Sequence, residues 1–75
     1  MKALPILSGK KVVKALTNAG FIVVRRRGSH IRLSKPIEHG TIKLTVPDHK
    51  ALKRRTLIRI IKASGLTMEE FKDLL

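Results

Sequence analysis

The apolar spacing of this chain predicts a two-layer α+β domain in the order α-β-β-β-α. A three-stranded antiparallel sheet would carry helices on one of its faces. Three observations predict it. Val12, Val13, Leu16 and Ala19 recur at helical spacing. Ile31 and Leu33, then Ile42, Leu44 and Val46, alternate with polar residues as half-buried strands do. Leu57, Ile58, Ile60 and Ile61 return to the helical period. The 75 residues make one domain, 1–75, with no room for a second.

Each element has its own signals. Ser8 can cap a helix starting at Gly9 or Lys10, and Gly20 stops it. Phe21 to Val24 is an aromatic and β-branched run, so a strand follows at once. Gly28-Ser29 turns the chain into the strand His30–Lys35. The loop Pro36–Gly40 joins that strand to Thr41–Val46 as a hairpin, and Pro47 ends the third strand. Asp48 to Lys53 reads as a polar connection. The second helix spans Thr56–Ala63, burying Leu57, Ile58, Ile60 and Ile61, and stops at Gly65. Thr67-x-x-Glu70 is a capping-box pattern opening a last short helix with Met68, Phe71 and Leu74 inward.

Parity constrains the hairpin. Ile31 and Leu33 must share a face with Ile42 and Leu44, because a one-residue slip would send one set into water. Leu33 then opposes Ile42 or Leu44, and His30 opposes Thr45 or Pro47. His30 therefore sits on the open face of the sheet, with His49 only a few residues past the end of the third strand.

The charge is lopsided: 17 Lys+Arg against 5 Asp+Glu, a net of +12. Glu69, Glu70 and Asp73 lie at the end of the chain, so the body is more basic still. Such a body implies an anionic partner, with nucleic acid ahead of an acidic protein. A membrane fits worst: no helix combines a basic face with Trp or Phe anchors, and no run approaches a span. The apolar start, Met1 to Leu7, is broken by Pro5 and too short for a signal-peptide core. Absence of cysteine excludes disulfides and thiolate chemistry and fits a cytoplasmic protein.

The most chemically loaded stretch is Arg25-Arg26-Arg27-Gly28-Ser29-His30-x-Arg32. Imidazole moves protons near neutral pH, and guanidinium grips phosphate. Two-metal nucleases need clustered carboxylates, and with Glu38 in the hairpin loop, Asp48 beside Pro47 and the other three acids in the tail, no acidic cluster reaches His30; the histidines also lack ligand spacing, so no metal or other cofactor is expected. Metal-free RNA cleavage by the 2′-hydroxyl needs a base, an acid and cations for the phosphorane charge. His30 is the candidate for the proton work. Arg32, Lys43 and one or more of Arg25, Arg26 and Arg27 are candidate phosphate ligands, with Gly28 and Ser29 shaping the turn. His49 is a second candidate proton carrier, or an orienter of loop or substrate. Lys53, Arg54 and Arg55 offer a phosphate grip at the start of the second helix. His39 reads as a solvated hairpin residue. Phe21 and Phe71 read as core, which leaves no platform for base stacking.

The order Ala19-Gly20-Phe21, Arg27-Gly28-Ser29-His30, Val46-Pro47-Asp48-His49 and Thr56-Leu57-x-x-Ile60-Ile61-Lys62-Ala63-x-Gly65-Leu66-x-x-Glu69-Glu70-Phe71 resembles the HicA (YcfA-like) family over nearly the whole chain. That family is the toxin half of the HicA–HicB toxin–antitoxin systems. The resemblance implies a fold similar to the double-stranded RNA-binding domain and ribosome-independent cleavage of mRNA that arrests translation. It implies that the Gly-Ser-His histidine, here His30, is catalytic, and that a HicB antitoxin binds the toxin and masks its site. This chain departs from the family in its longer start, Met1–Ser8, and in a hairpin extended by Pro36-Ile37-Glu38-His39.

Two other classes fit the composition. A basic RNA-binding module without activity would bind RNA tightly and salt-dependently but leave it intact. A protein whose basic face only docks an acidic partner would bind RNA weakly.

Overall fold

The computed structural model describes residues 4–75; Met1 to Ala3 of the leading segment lie outside the described residues. The order is α1 (Gly9–Asn18), β1 (Ile22–Arg27), β2 (His30–Ile37), β3 (Gly40–Pro47), α2 (Arg54–Ser64) and α3 (Met68–Asp73). The three strands form one antiparallel sheet in the order β1-β2-β3. The domain is therefore α+β with α-β-β-β-α order, as the apolar spacing predicts.

Strand register settles the parity argument. Leu33 pairs with Leu44 and Ile31 with Val46, and all four are buried against the helices. His30 pairs with Pro47, one of the two positions parity allows. Val12, Leu16, Phe21, Leu57, Ile61 and Phe71 are among the side chains that join them in the core. Each such side chain contributes about 1.5–3 kcal/mol by leaving water.

Both hairpin turns have two residues. Gly28 takes φ +59, while Ser29 keeps a negative φ. Only the first central residue thus lies in the left-handed region, as turns of the II′ class require. The second turn is Glu38-His39, tighter than the loop Pro36–Gly40 expected from sequence. Pro36 belongs to β2 because β1 has already ended, its last pair being Ile22 with Ser34. Alternation of the ladder turns the missing Pro36 N–H toward that vacated side.

The other strand and helix limits also move. β1 continues through Arg25–Arg27, since each of these arginines pairs across to β2, whereas Phe21 drops out of the strand and into the core. Leu52 makes the 48–53 connection more than polar: it is buried, and its N–H donates to the Leu7 carbonyl at 2.8 Å. α2 begins two residues earlier than its apolar period suggests, and Ile58 is half-buried rather than buried. Ser64 is buried and satisfied, its Oγ donating to the Ile61 carbonyl (2.6 Å) and accepting the Leu66 N–H (3.2 Å).

The caps behave as expected. Ser8 Oγ accepts the Lys11 N–H at 3.2 Å. The Thr67/Glu70 capping box closes both ways, with Thr67 Oγ1 accepting the Glu70 N–H and Glu70 Oε1 accepting the Thr67 N–H.

Gly9 locks the helix layer to the end of the sheet. It is buried, and its N–H donates to the His49 carbonyl at 2.8 Å. A Cβ at this position would collide with the Pro47 carbonyl oxygen. Glycine is what allows α1 to begin hard against the Pro47–His49 segment.

Candidate nucleic-acid interface

Side chains that share parity with His30 point away from the helices. Register arranges them in three rows across the open face: Arg27, His30 and Pro47; then Arg25, Arg32 and Thr45; then Ile22, Ser34 and Lys43. Neighbours within a row lie about 5 Å apart, and rows about 7 Å apart along the strands. His30 is the first residue of the central strand, immediately after the Gly28-Ser29 turn, with Arg27 directly across the ladder. It is exposed.

A bulge in β1 adds to this face. Val23 pairs with Leu33 and Arg25 with Arg32, so Val24 is the extra residue. The bulge lets Val24 line a shallow concavity of about 350 Å³ with Arg25, Arg32, Leu33, Ser34 and Lys43. Arg25 stands directly opposite Arg32, an arrangement of like charges that is destabilising by itself. No ion pair engages Arg25, Arg27, Arg32 or Lys43 among the described residues. The face therefore carries cations with no carboxylate of their own, and an incoming phosphate relieves their repulsion.

His49 reaches the same end of the molecule by another route. The Ser29 carbonyl accepts the Asp48 N–H at 2.6 Å. His30 and His49 each follow one member of that bonded pair. His49 is exposed and, with Ser8, Lys10, Asp48 and Lys50, lines a second concavity of about 260 Å³ at the start of α1. The sequence marks Lys10 only as a possible start of the first helix, with no local signal that joins it to His49.

Other candidates are placed elsewhere. Arg26 pairs with Ile31, so it shares parity with the helix-facing residues and points away from His30. Arg26 thus leaves the group of expected phosphate ligands on this face. Lys53 caps α2 without a side-chain hydrogen bond, and Arg54 and Arg55 open that helix; all three are exposed in the helical layer. His39 lies at the β2–β3 turn, 3.9 Å from Glu38 Oε1 and at the far end of the hairpin from His30. Lys35 sits 5.7 Å from the Phe21 ring centroid, a base used in packing. Among the described residues, no three His, Asp or Glu gather into a group able to hold a metal ion. No helix among them is long and apolar enough to cross a membrane.

Fold and face together define a small, strongly basic two-layer domain whose open sheet surface gathers arginines and a lysine beside one exposed histidine. The sequence model of the HicA toxin of bacterial toxin–antitoxin systems matches residues 9–66, from the first residue of α1 to just past α2. The chain belongs to the HicA toxin family. Comparison with curated proteins finds no match. Membership makes the chain a member of a toxin family and implies an antitoxin as its partner.

Proposed function

We propose that the chain is a metal-independent endoribonuclease that cleaves mRNA and so inhibits translation in the cytoplasm, with His30 as general acid or base. One observation carries this reading: His30 stands between Arg27 and Pro47 at the head of a cationic face that has no carboxylate. The 2′-oxygen of the RNA attacks the adjacent phosphorus and loses its proton. The bond from phosphorus to the 5′-oxygen breaks, and that oxygen takes up a proton. The products are a 2′,3′-cyclic phosphate and a 5′-hydroxyl. No water is consumed, and DNA, which lacks the nucleophile, is spared.

In this reading His30 moves one of the protons, a role that contributes about 10²–10⁴-fold. Arg25, Arg27, Arg32 and Lys43 hold the phosphates and offset the charge of the phosphorane. His49 carries the second proton or orients the substrate. Lys53, Arg54 and Arg55 contact RNA that extends onto the helical layer. The implied partner is a HicB-like antitoxin.

A second reading is favoured by one observation: among the described residues, no side chain hydrogen-bonds to His30 and fixes its ring. A basic RNA-binding module without activity needs no such orienting group. Incubating the antitoxin-free protein with a long RNA in EDTA, beside His30→Ala, separates the two. Fragments ending in cyclic phosphate from the wild type alone are expected. RNA that is shifted on a gel but stays intact would select the binding module.

A further inference from the structure

We propose that β1, one free edge of the sheet, is a protein-docking surface, and that its occupant is the antitoxin, presenting an apolar ridge bordered by carboxylates. The proposal rests on the antitoxin partner named above and not on catalysis by His30.

All six residues of β1 are exposed. Ile22, Val23 and Val24 are 57%, 38% and 55% exposed and consecutive in the chain, Ile22 and Val24 toward the open face and Val23 toward the helix side, so half of this edge strand is bare branched aliphatic surface that straddles the edge. The opposite edge differs: where β3 is exposed it presents Gly40, Thr41, Lys43 and Thr45. Bare aliphatic surface on an edge strand is a liability that a lone domain suppresses and a docking protein uses.

The chemistry selects the occupant. Ile22, Val23 and Val24 offer RNA no aromatic ring to stack on and no hydrogen bond. They suit an apolar protein segment. Arg25, Arg26 and Arg27 follow directly, and neither β1 nor β2 contains an acid, so the segment must end in carboxylates. Arg26 is the decisive residue. It faces away from His30 and the concavity, leaving it exposed outside the cationic face and, among the described residues, without an ion pair. The bulge at Val24 interrupts the outward row of backbone groups, so recognition here runs through side chains rather than through an added strand.

The test is calorimetric titration of the purified chain with its cognate antitoxin, comparing wild type, Ile22→Ser, Arg26→Glu and, as an exposed apolar control at the other turn, Ile37→Ser. Thermal melts would confirm that each variant folds. Ile22→Ser and Arg26→Glu should each weaken the complex about tenfold or more, as central anchors and their ion pairs do. Ile37→Ser should stay within about threefold. Unchanged affinity in both β1 variants would overturn the proposal, as would equal weakening by Ile37→Ser. So would an Ile22→Ser protein that loses RNA binding but keeps the antitoxin, which would assign the patch to substrate. Heat of binding is read directly, so a wild type that failed to cut RNA would leave this result standing.

Discussion

The Ser29 carbonyl accepts the Asp48 N–H at 2.6 Å, tying the turn that delivers His30 to the segment that delivers His49. One residue further on, the His49 carbonyl accepts the Gly9 N–H. Three stretches far apart in sequence are thus held by two backbone bonds at one end of the sheet. Among the described residues no side-chain hydrogen bond reaches His30 or His49, so the site's geometry depends on that junction.

Gly9→Ala tests the junction. The added methyl meets the Pro47 carbonyl, so α1 must draw back from β3. Overpacking of this kind costs about 1–3 kcal/mol. Chemical denaturation should show that loss. Cleavage per folded molecule should also fall, because Asp48 and His49 move with the Pro47 backbone. A Gly9→Ala protein as stable and as active as wild type would mean that the contact is easily relaxed.

Arg27 and Arg26 provide an internally controlled pair. Both are exposed, and each loses one positive charge on substitution by alanine. Arg27 sits across from His30, whereas Arg26 pairs with buried Ile31 on the other face. Arg27→Ala should lower the cleavage rate by about tenfold or more and reduce the salt dependence of RNA binding by roughly 0.7 in log–log slope, as for one lost single-strand phosphate contact. Arg26→Ala should leave rate and slope near wild type. Equal effects would mean that general charge, not the face, governs RNA recognition.

Glu70 makes an acid-dependent contribution to stability. The Thr67 N–H bonded to its carboxylate, then the Thr67 hydroxyl and the nearby Lys35 charge, lower its pKa below the ordinary 4.5. A carboxylate with a depressed folded-state pKa stabilises the fold above its unfolded value, and that stability disappears as pH falls through the folded one. Melting temperature should therefore drop below about pH 4.5 in part through Glu70. Glu70→Gln keeps an acceptor for the Thr67 N–H but cannot titrate, so its melting temperature should fall less between pH 7 and pH 3. An identical acid profile in both proteins would remove Glu70 from the account.

Legibility of the fold and site in the sequence follows the strength of local patterns. β2 and β3 alternate cleanly, so parity alone put His30 on the open face and limited its partner to Thr45 or Pro47. β1 could not be read that way. Three consecutive arginines have no apolar phase, and a bulge at Val24 shifts whatever phase there is, so only the observed register separates Arg26 from Arg25 and Arg27. Leu7, at the end of a short apolar run, and Leu52 enter the core with no helical or strand period to reveal them. Gly9 looked like a helix's first residue; its close approach to Pro47 is tertiary and leaves no mark in local sequence. Lys10 becomes part of a concavity with His49 only because that approach exists.

Phe71 tests whether α3 belongs to the domain. The family match ends at residue 66, before α3 begins. Yet Phe71 is wholly buried and belongs to the same core as Leu16 and Val46. Replacing such a side chain by alanine costs about 3–5 kcal/mol. A domain of this size has only about 4–11 kcal/mol of stability to lose. Phe71→Ala should therefore lower the denaturation midpoint sharply and leave a substantial unfolded fraction at 37 °C, although residues 9–66 are intact. Leu75→Ala, at a half-exposed position, should change stability by under about 1 kcal/mol. If Phe71→Ala proved as mild, α3 would be an appendage that the domain can do without. The large loss expected instead would make it an integral part of the domain's core.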